Sequence, residues 1–218
     1  PYTRGPVRSM PIENAVSEAQ KLAAQGYREI VLTGIEIASY GRDLNGRPEL
    51  GDLICAVSAA APSCRIRLGS LEPRIINSDF CSKISSCSNL CPHFHLSLQS
   101  GCDATLQRMN RKYSTELFYN AVNLLRSYYP SCGITTDLIV GFPGETEDEF
   151  QETLAFIEKC AFSSMHIFPY SVRSGTAAAK MDNQIEKQEK HSRARRATAV
   201  AKKCRQNFLA SLIGSTAK

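Results

Sequence analysis

The sequence has no apolar run approaching the ~20 residues that a membrane-spanning helix needs, and it opens on no signal-peptide pattern. No membrane partner is therefore expected. Its nine cysteines, at positions 55, 64, 81, 87, 91, 102, 132, 160 and 204, are odd in number and lack a framework spacing. That argues against a disulfide scaffold and for a reducing, cytoplasmic setting in which most thiols act as small buried hydrophobes. Neither charge nor apolar content is extreme: over 218 residues, 43% are apolar and 22% charged, the profile of one sizeable globular domain. The net charge of +5 is uneven. Residues 181–218 hold nine Lys/Arg against three Asp/Glu, whereas the preceding 180 are almost balanced. The patch reads either as the solvated face of a surface helix or as a contact for a polyanion such as RNA.

Five short β-rich segments are present, at 29–35 (EIVLTGI), 65–71 (RIRLGSL), 93–100 (HFHLSLQS), 134–142 (ITTDLIVGF) and 165–170 (MHIFPY). Helical patterns lie between them, the rhythm of βα units and a parallel sheet. A helix over 11–25 presents Ile12, Ala15, Val16, Ala19, Leu22 and Ala23 on one face, with Pro11 at its start and Gly26 at its stop. Ser114 caps a helix to about 127, and Thr146 with Glu149 forms a capping box ahead of Phe150, Leu154 and Ile157. A last helix, over 185–212, is expected to bury Ala197, Val200, Ala201, Cys204 and Phe208 and to carry the basic patch opposite. The segment 29–35 reads as an interior strand buried on both faces, which predicts a further strand ahead of Pro1.

Candidate chemistry gathers at the strand ends. In 93–100, period 2 separates His93, His95, Ser97 and Gln99 from Phe94, Leu96 and Leu98. In a barrel the polar set faces the interior, where a purely structural core would be branched and apolar. The other strand ends supply Gly34 and Glu36, Ser70 and Glu72, Ser100 and Gly101, Asp137, the run 141–145 (GFPGE), and Pro169 with Tyr170. Glycines and polar groups repeated there suit a nucleotide-like ligand. Two metal readings compete with this. Cys81, Cys87 and Cys91 follow C-x5-C-x3-C, which matches no common zinc or iron–sulfur spacing. The His93-x-His95 pair resembles ligands of a zinc hydrolase barrel, but that site needs more histidines, and only His166 and His191 remain.

The stretches PYTRGPVRS, IVLTGIEIASYG, RIRLGSLEP, CPHFHLSLQSGCDATLQRMNRKY, TTDLIVGFPGETEDEF and HIFPYSVRSGTAAAKM occur in order along the whole chain. Together they closely resemble the radical S-adenosylmethionine (SAM) methylthiotransferases, above all the branch acting on threonylcarbamoyladenosine in tRNA. The resemblance implies an α/β fold, a partial (β/α) barrel of the radical SAM type with its first strand and cluster loop missing. Residues 1–218 would be a core-domain fragment, with 181–218 its basic C-terminal helix. An N-terminal cluster domain, the Cys-x3-Cys-x2-Cys motif just upstream of Pro1 and a C-terminal TRAM domain would lie outside it.

The family uses SAM and two [4Fe–4S] clusters, so this fragment alone is expected to hold no cluster and to be inactive. A cluster with three thiolate ligands keeps one iron open for the methionyl end of SAM, which is cleaved to a 5′-deoxyadenosyl radical. A second SAM supplies the methyl group, and sulfur comes through the other cluster. The partner implied is tRNA, with the sulfur and electron donors unassigned. By position, Thr33, Gly34 and Glu36 resemble the segment that meets the methionine amine, and Glu72 faces the same cavity. Gln99 and Ser100 resemble the ribose segment, and Arg111 is a candidate for the SAM carboxylate. Ile139 to Gly141 and Phe168 to Tyr170 resemble adenine-packing edges, while Arg4 and Arg8 are candidate substrate contacts or plain salt bridges. Family members usually read LPLQSGS where this chain has Ser97 and Cys102, and SPRPGTPA where it has Val172, Ser174 and Ala177. The departures leave another tRNA adenosine or a ribosomal protein as alternative substrates, with the zinc hydrolase barrel as the reading from a different class.

Overall fold

The computed structural model describes residues 5–215, so Arg4 lies outside the described residues. Along the chain run α1 (Ile12–Ala24), β1 (Glu29–Leu32), α2 (Leu50–Ala60), β2 (Arg65–Leu68), α3 (Ser78–Ser85) and β3 (His93–His95). There follow α4 (Asp103–Arg108), α5 (Thr115–Tyr128), β4 (Gly133–Val140), α6 (Glu147–Cys160), β5 (Ser164–Pro169) and α7 (Lys187–Ser211). The alternation is that of parallel βα units, as the sequence rhythm predicts. Two compact units emerge: the first from Pro1–His95 with Leu124–Cys132, the second from Leu96–Asn123 with Gly133–Lys218.

In the first unit β1 and β2 pair in parallel, Glu29 to Leu32 against Arg65 to Leu68. The ladder stays tight because Gly69 has no side chain. A Cβ there would lie 3.0 Å from Thr33 Oγ1 and 3.3 Å from the Leu32 carbonyl, while the Gly69 amide donates to that carbonyl at 2.8 Å. Ile54, Val57, Ala61, Ile66, Leu68, Ile84 and Phe94 fill the core. Asn89 ties it together, its amide nitrogen donating to the carbonyls of Cys64 (2.8 Å), Ala61 (3.0 Å) and Ser58 (3.3 Å). These carbonyls belong to the last turn of α2, its C-cap and the loop beyond, where acceptors lack intrahelical partners.

β1 departs from expectation. Only Ile30 is buried; Glu29 and Val31 are exposed and Leu32 is intermediate. A short apolar run signals burial only where both faces are covered, and the face of β1 that carries Val31 is open, with Val31 49% exposed.

In the second unit β4 and β5 pair in parallel through six rungs, Thr135 to Val140 against Ser164 to Pro169. β4 alternates strictly, with Ile134, Thr136, Leu138 and Val140 buried. Segment 93–100 alternates as expected, Phe94, Leu96 and Leu98 being fully buried. Its regular strand nevertheless ends at His95. Beyond it, Leu96 donates to the Thr135 carbonyl and Gln99 to the Asp137 carbonyl, both at 2.9 Å. The Leu98 amide instead goes to Thr136 Oγ1, at 3.1 Å, and this side-chain acceptor interrupts the backbone ladder. Phe118 sits at the centre of the aromatic core, its ring 6.1 Å from Phe156 and 6.0 Å from Phe162, both edge-on.

The expected caps are present. Ser114 Oγ accepts from the Leu117 amide at 3.2 Å, and Thr146 and Glu149 close a reciprocal capping box at 3.2 and 3.0 Å. Helix α7 corrects the picture of its faces. Ala197, Ala201 and Cys204 are buried as expected, but Val200 and Phe208 are only half-buried. Lys190 and Arg193 are buried in their place. The side chain of Arg193 is 7% exposed, paired with Glu145 and Glu189; Arg196 pairs with Glu147 and Lys203 with Glu158. Three of the basic residues of the patch, Arg193, Arg196 and Lys203, are therefore matched by the carboxylates of Glu145, Glu147 and Glu158 from outside the segment.

Candidate cofactor site

The first unit holds a cavity of about 1150 Å³. Its wall includes Arg8 and Met10 from the opening loop, Thr33, Gly34 and Glu36 after β1, and Leu22 of α1. Four of the residues predicted from sequence, Arg8, Thr33, Gly34 and Glu36, are thus brought to one surface. Val7, Met10, Val31 and Ile35 leave apolar area open there, at 47, 54, 49 and 75% exposure.

What holds the opening loop was not legible in the sequence. The Ser9 amide donates to Asp43 Oδ2 (2.9 Å), Ser9 Oγ accepts from the Gly41 amide (2.9 Å), and Tyr40 Oη donates to the Met10 carbonyl (2.8 Å). The hydrogen bonds from Ser9 draw the Asp43 carboxyl below its usual range, and burial pushes the Tyr40 hydroxyl up. Gly41 is required at this turn: its φ is +80°, and a Cβ would fall 1.8 Å from the Pro48 carbonyl oxygen. Glu72 is not on the cavity wall; it forms an ion pair with Arg74. The Arg74 guanidinium is held charged by Glu72 first and also by Glu36, so one cation serves both predicted carboxylates.

In the second unit the predicted residues cluster at the ends of β4 and β5. Ile139 faces Phe168 across a rung, with Asp137 facing His166 two rungs earlier, on the same face. In parallel strands such partners project to the same side, so the sheet presents an apolar pair next to a polar one. Phe168 is 51% exposed, with His166 stacked against it at 6.5 Å. Gln99 has φ of +69°, a left-handed conformation uncommon for a side-chain-bearing residue, and its backbone bonds to both Asp137 and Ile139. Ser100 points inward instead: it is fully buried, with its hydroxyl 3.3 Å from Thr153 Oγ1 and accepting from the Cys102 amide. Arg111 is exposed on the turn after α4.

The turn after β4 is the most constrained part of this region. Glu145 Oε2 accepts from the Gly141 amide (2.7 Å) and from Arg193 Nη1 (2.8 Å). Burial drives the Glu145 carboxyl above its usual range, while Arg193 and the amide pull the other way. Phe142 packs edge-on against Tyr170 at 5.2 Å, and the Tyr170 amide donates to the Val140 carbonyl at 2.8 Å. The burial of Arg193 was not legible in the sequence because Glu145, its buried partner, lies 48 positions away, beyond any local pattern.

Among the described residues no group of three His, Cys, Asp or Glu side chains is placed to hold a metal ion. Eight of the nine cysteines are buried and Cys55 is intermediate. Burial pushes the thiols of Cys55, Cys81 and Cys132 up to about 11, the opposite of what a ligating thiolate requires. The described residues therefore do not fit an iron–sulfur cluster. Within the first unit, the carboxylate and hydroxyl of Glu36 and Thr33 on the cavity wall are acceptors of the kind an ammonium needs.

The Radical SAM superfamily model matches residues 1–157. A tRNA-2-methylthio-N(6)-dimethylallyladenosine synthase from Syntrophomonas wolfei is 43% identical over 196 residues, covering 90% of this chain and 44% of the relative. The threonylcarbamoyladenosine tRNA methylthiotransferase MtaB of Bacillus subtilis is 40% identical over 204 residues, covering 92% and 44%. The chain thus spans less than half the length of the curated relatives it matches. Among solved structures, coproporphyrinogen III oxidase from Escherichia coli superposes with a TM-score of 0.65 at 14% identity, over 88% of this chain and 46% of that one. The radical SAM methyltransferase TsrM from Kitasatospora setae gives 0.59 at 14%, over 73% and 31%. At that identity the likeness speaks for fold alone, and the fold is the α/β radical SAM type expected from the sequence. The chain belongs to the radical SAM superfamily.

Proposed function

We propose that this chain is the SAM-binding domain of an enzyme that adds a methylthio group to C2 of N6-threonylcarbamoyladenosine beside the tRNA anticodon. The observation that carries the reading is the alignment of nine-tenths of the chain with named tRNA methylthiotransferases. Bound SAM supplies the adenosyl and methyl groups for such a reaction. The residues of this chain supply position. In the first unit Thr33 and Glu36 offer hydrogen-bond acceptors to an ammonium; in the second, taken by itself, Ile139 and Phe168 offer an apolar rung to a flat base. Arg8, on a loop pinned by Ser9, Tyr40 and Asp43, offers a cation to substrate or cofactor. Holding a reactive group at fixed distance and excluding water is the main protein contribution to chemistry of this class.

A second reading, dimethylallyladenosine as substrate, is favoured by the names of the Syntrophomonas wolfei and Alkaliphilus oremlandii relatives, 43 and 42% identical. Mass spectrometry of tRNA nucleosides from a deletion strain, with and without the full-length gene, decides between them. The first reading expects methylthio-threonylcarbamoyladenosine to vanish and return. Loss of the dimethylallyl product instead supports the second, and an unchanged profile of both in a strain without a redundant enzyme overturns the tRNA assignment.

A further inference from the structure

Helix α7 looks in sequence like a surface element, yet two of its cations point inward. Arg193 Nη1 donates to Glu145 Oε2 and to the Glu145 carbonyl, each at 2.8 Å, while its Nε donates to Glu189 Oε1 at 2.8 Å. The Glu145 side chain is 1% exposed, and the same Oε2 accepts from the Gly141 amide. A continuous relay thus joins the helix guanidinium to the carboxylate and to the backbone amide at the end of β4. Lys190, one turn earlier, closes the other side of the turn. A Cβ on Gly141, whose φ is +72°, would lie 2.5 Å from Lys190 Cγ, and Lys190 Nζ stands 5.0 Å over the Tyr170 ring. The Gly144 amide adds a hydrogen bond to the Asn183 carbonyl at 3.0 Å.

A buried ion pair is a poor source of stability, since desolvation offsets most of the attraction and an apolar pair of similar volume does as well. What such a pair supplies that an apolar one cannot is direction. Its hydrogen bonds specify where the carboxylate, and through it the Gly141 amide, must lie.

We propose that Arg193, supported by Lys190, is a positioning residue for the adenosine end of SAM, acting through Glu145 to set the turn 141–145 and the Tyr170 edge. Helix α7 then belongs to the cofactor site. The inference rests on the radical SAM reading of this edge and adds to it a part of the chain outside the matched residues 1–157.

The test uses the full-length enzyme and S-adenosylhomocysteine, with binding read by titration calorimetry and steady-state kinetics read in parallel. Arg193→Met is expected to raise the Kd for S-adenosylhomocysteine on the order of tenfold, because misplacing a contact surface costs at least this much. KM for SAM should rise by a similar factor while kcat at saturation changes less than about twofold, the signature of lost cofactor binding. Arg193→Lys should recover only part of the affinity, since an ammonium lacks the guanidinium fork. Glu189→Gln loosens the outer partner alone, whose side chain is 40% exposed, and should raise Kd about two- to threefold with little change in melting temperature. Gln206→Ala, on the same helix, is the control and should match the parent. A parent enzyme that fails to bind S-adenosylhomocysteine overturns the reading of this edge, and the proposal with it. A binding parent with unchanged Kd in folded Arg193→Met overturns the positioning role alone. Should that variant not fold, unchanged Kd in folded Glu189→Gln overturns it.

Discussion

The two units are built from the same βα vocabulary, but β4 of the second is far better covered than β1 of the first. In the second, every alternate residue of β4 is buried, Phe118 is enclosed by two rings, and Arg193 of α7 is buried in ion pairs, although β5 stays partly open. In the first, β1 buries one residue of four and faces a cavity of about 1150 Å³ with exposed Val31. Open, partly apolar surface of the kind the first unit leaves at β1 is what a ligand pocket requires, whereas the alternate apolar residues of β4 are used in packing.

Substitutions can break this contrast. Phe118→Ala in the second unit should destabilise by about 3–5 kcal/mol in denaturant unfolding, the cost of an aromatic ring removed from a closed core. Asn89→Ala tests whether the first unit has any comparably critical point. It leaves the carbonyls of Cys64 and Ala61 without that donor and should cost about 2–3 kcal/mol, and a loss below 0.5 would show water replacing it. Gly101→Ala probes how closely α6 approaches in the second unit, since the new Cβ would lie 2.8 Å from Phe156 Cβ and 3.0 Å from Thr153 Cα. Thermal denaturation should report a loss of about 1–3 kcal/mol from this overpacking.

A smaller effect is expected from the ion pair of Arg196 with Glu147. The guanidinium, aided by the Gln151 amide, holds the Glu147 carboxyl down at about 2. Because the folded value lies below the unfolded one, the stabilisation is present above the ordinary carboxylate pKa and is lost as pH falls toward 2. Arg196→Ala should therefore lower stability slightly at neutral pH and flatten the acid limb of the pH–stability curve, the effect being limited by exposure and removable with salt. The smallest change is expected at β1: Val31→Ala should shift stability by less than about 0.5 kcal/mol, because a 49% exposed side chain has little burial to lose. A loss comparable to Phe118→Ala would show that β1 is covered in the full-length protein and would close the gap between the units.

The candidate site was legible in part. Thr33, Gly34 and Glu36 share one cavity wall, and Ile139 faces Phe168, because these residues stand at strand ends, whereas Arg8 reaches the same wall on the opening loop. Ser100 was placed correctly along the chain, but its hydroxyl turns to Thr153 within the core. The loop contacts of Ser9, Tyr40 and Asp43 have no local sequence signature.

Local chemistry was enough to establish the βα rhythm, the alternating faces of 93–100 and of β4, the capping box at Thr146 and the buried character of the thiols. Each follows from a period of 2 or 3.6, or from side chains within four residues of one another. Other features depended on the assembled fold: that Val31 is open, that the β-strand ladder breaks at Leu98, and that Arg193 is buried against Glu145 rather than displayed to a polyanion. In each of these the deciding partner, or its lack, lies some 40 to 50 residues away or on a neighbouring strand. Burial and ion pairing are properties of the packed chain, so charge and hydropathy along the sequence mark the candidates and packing selects among them.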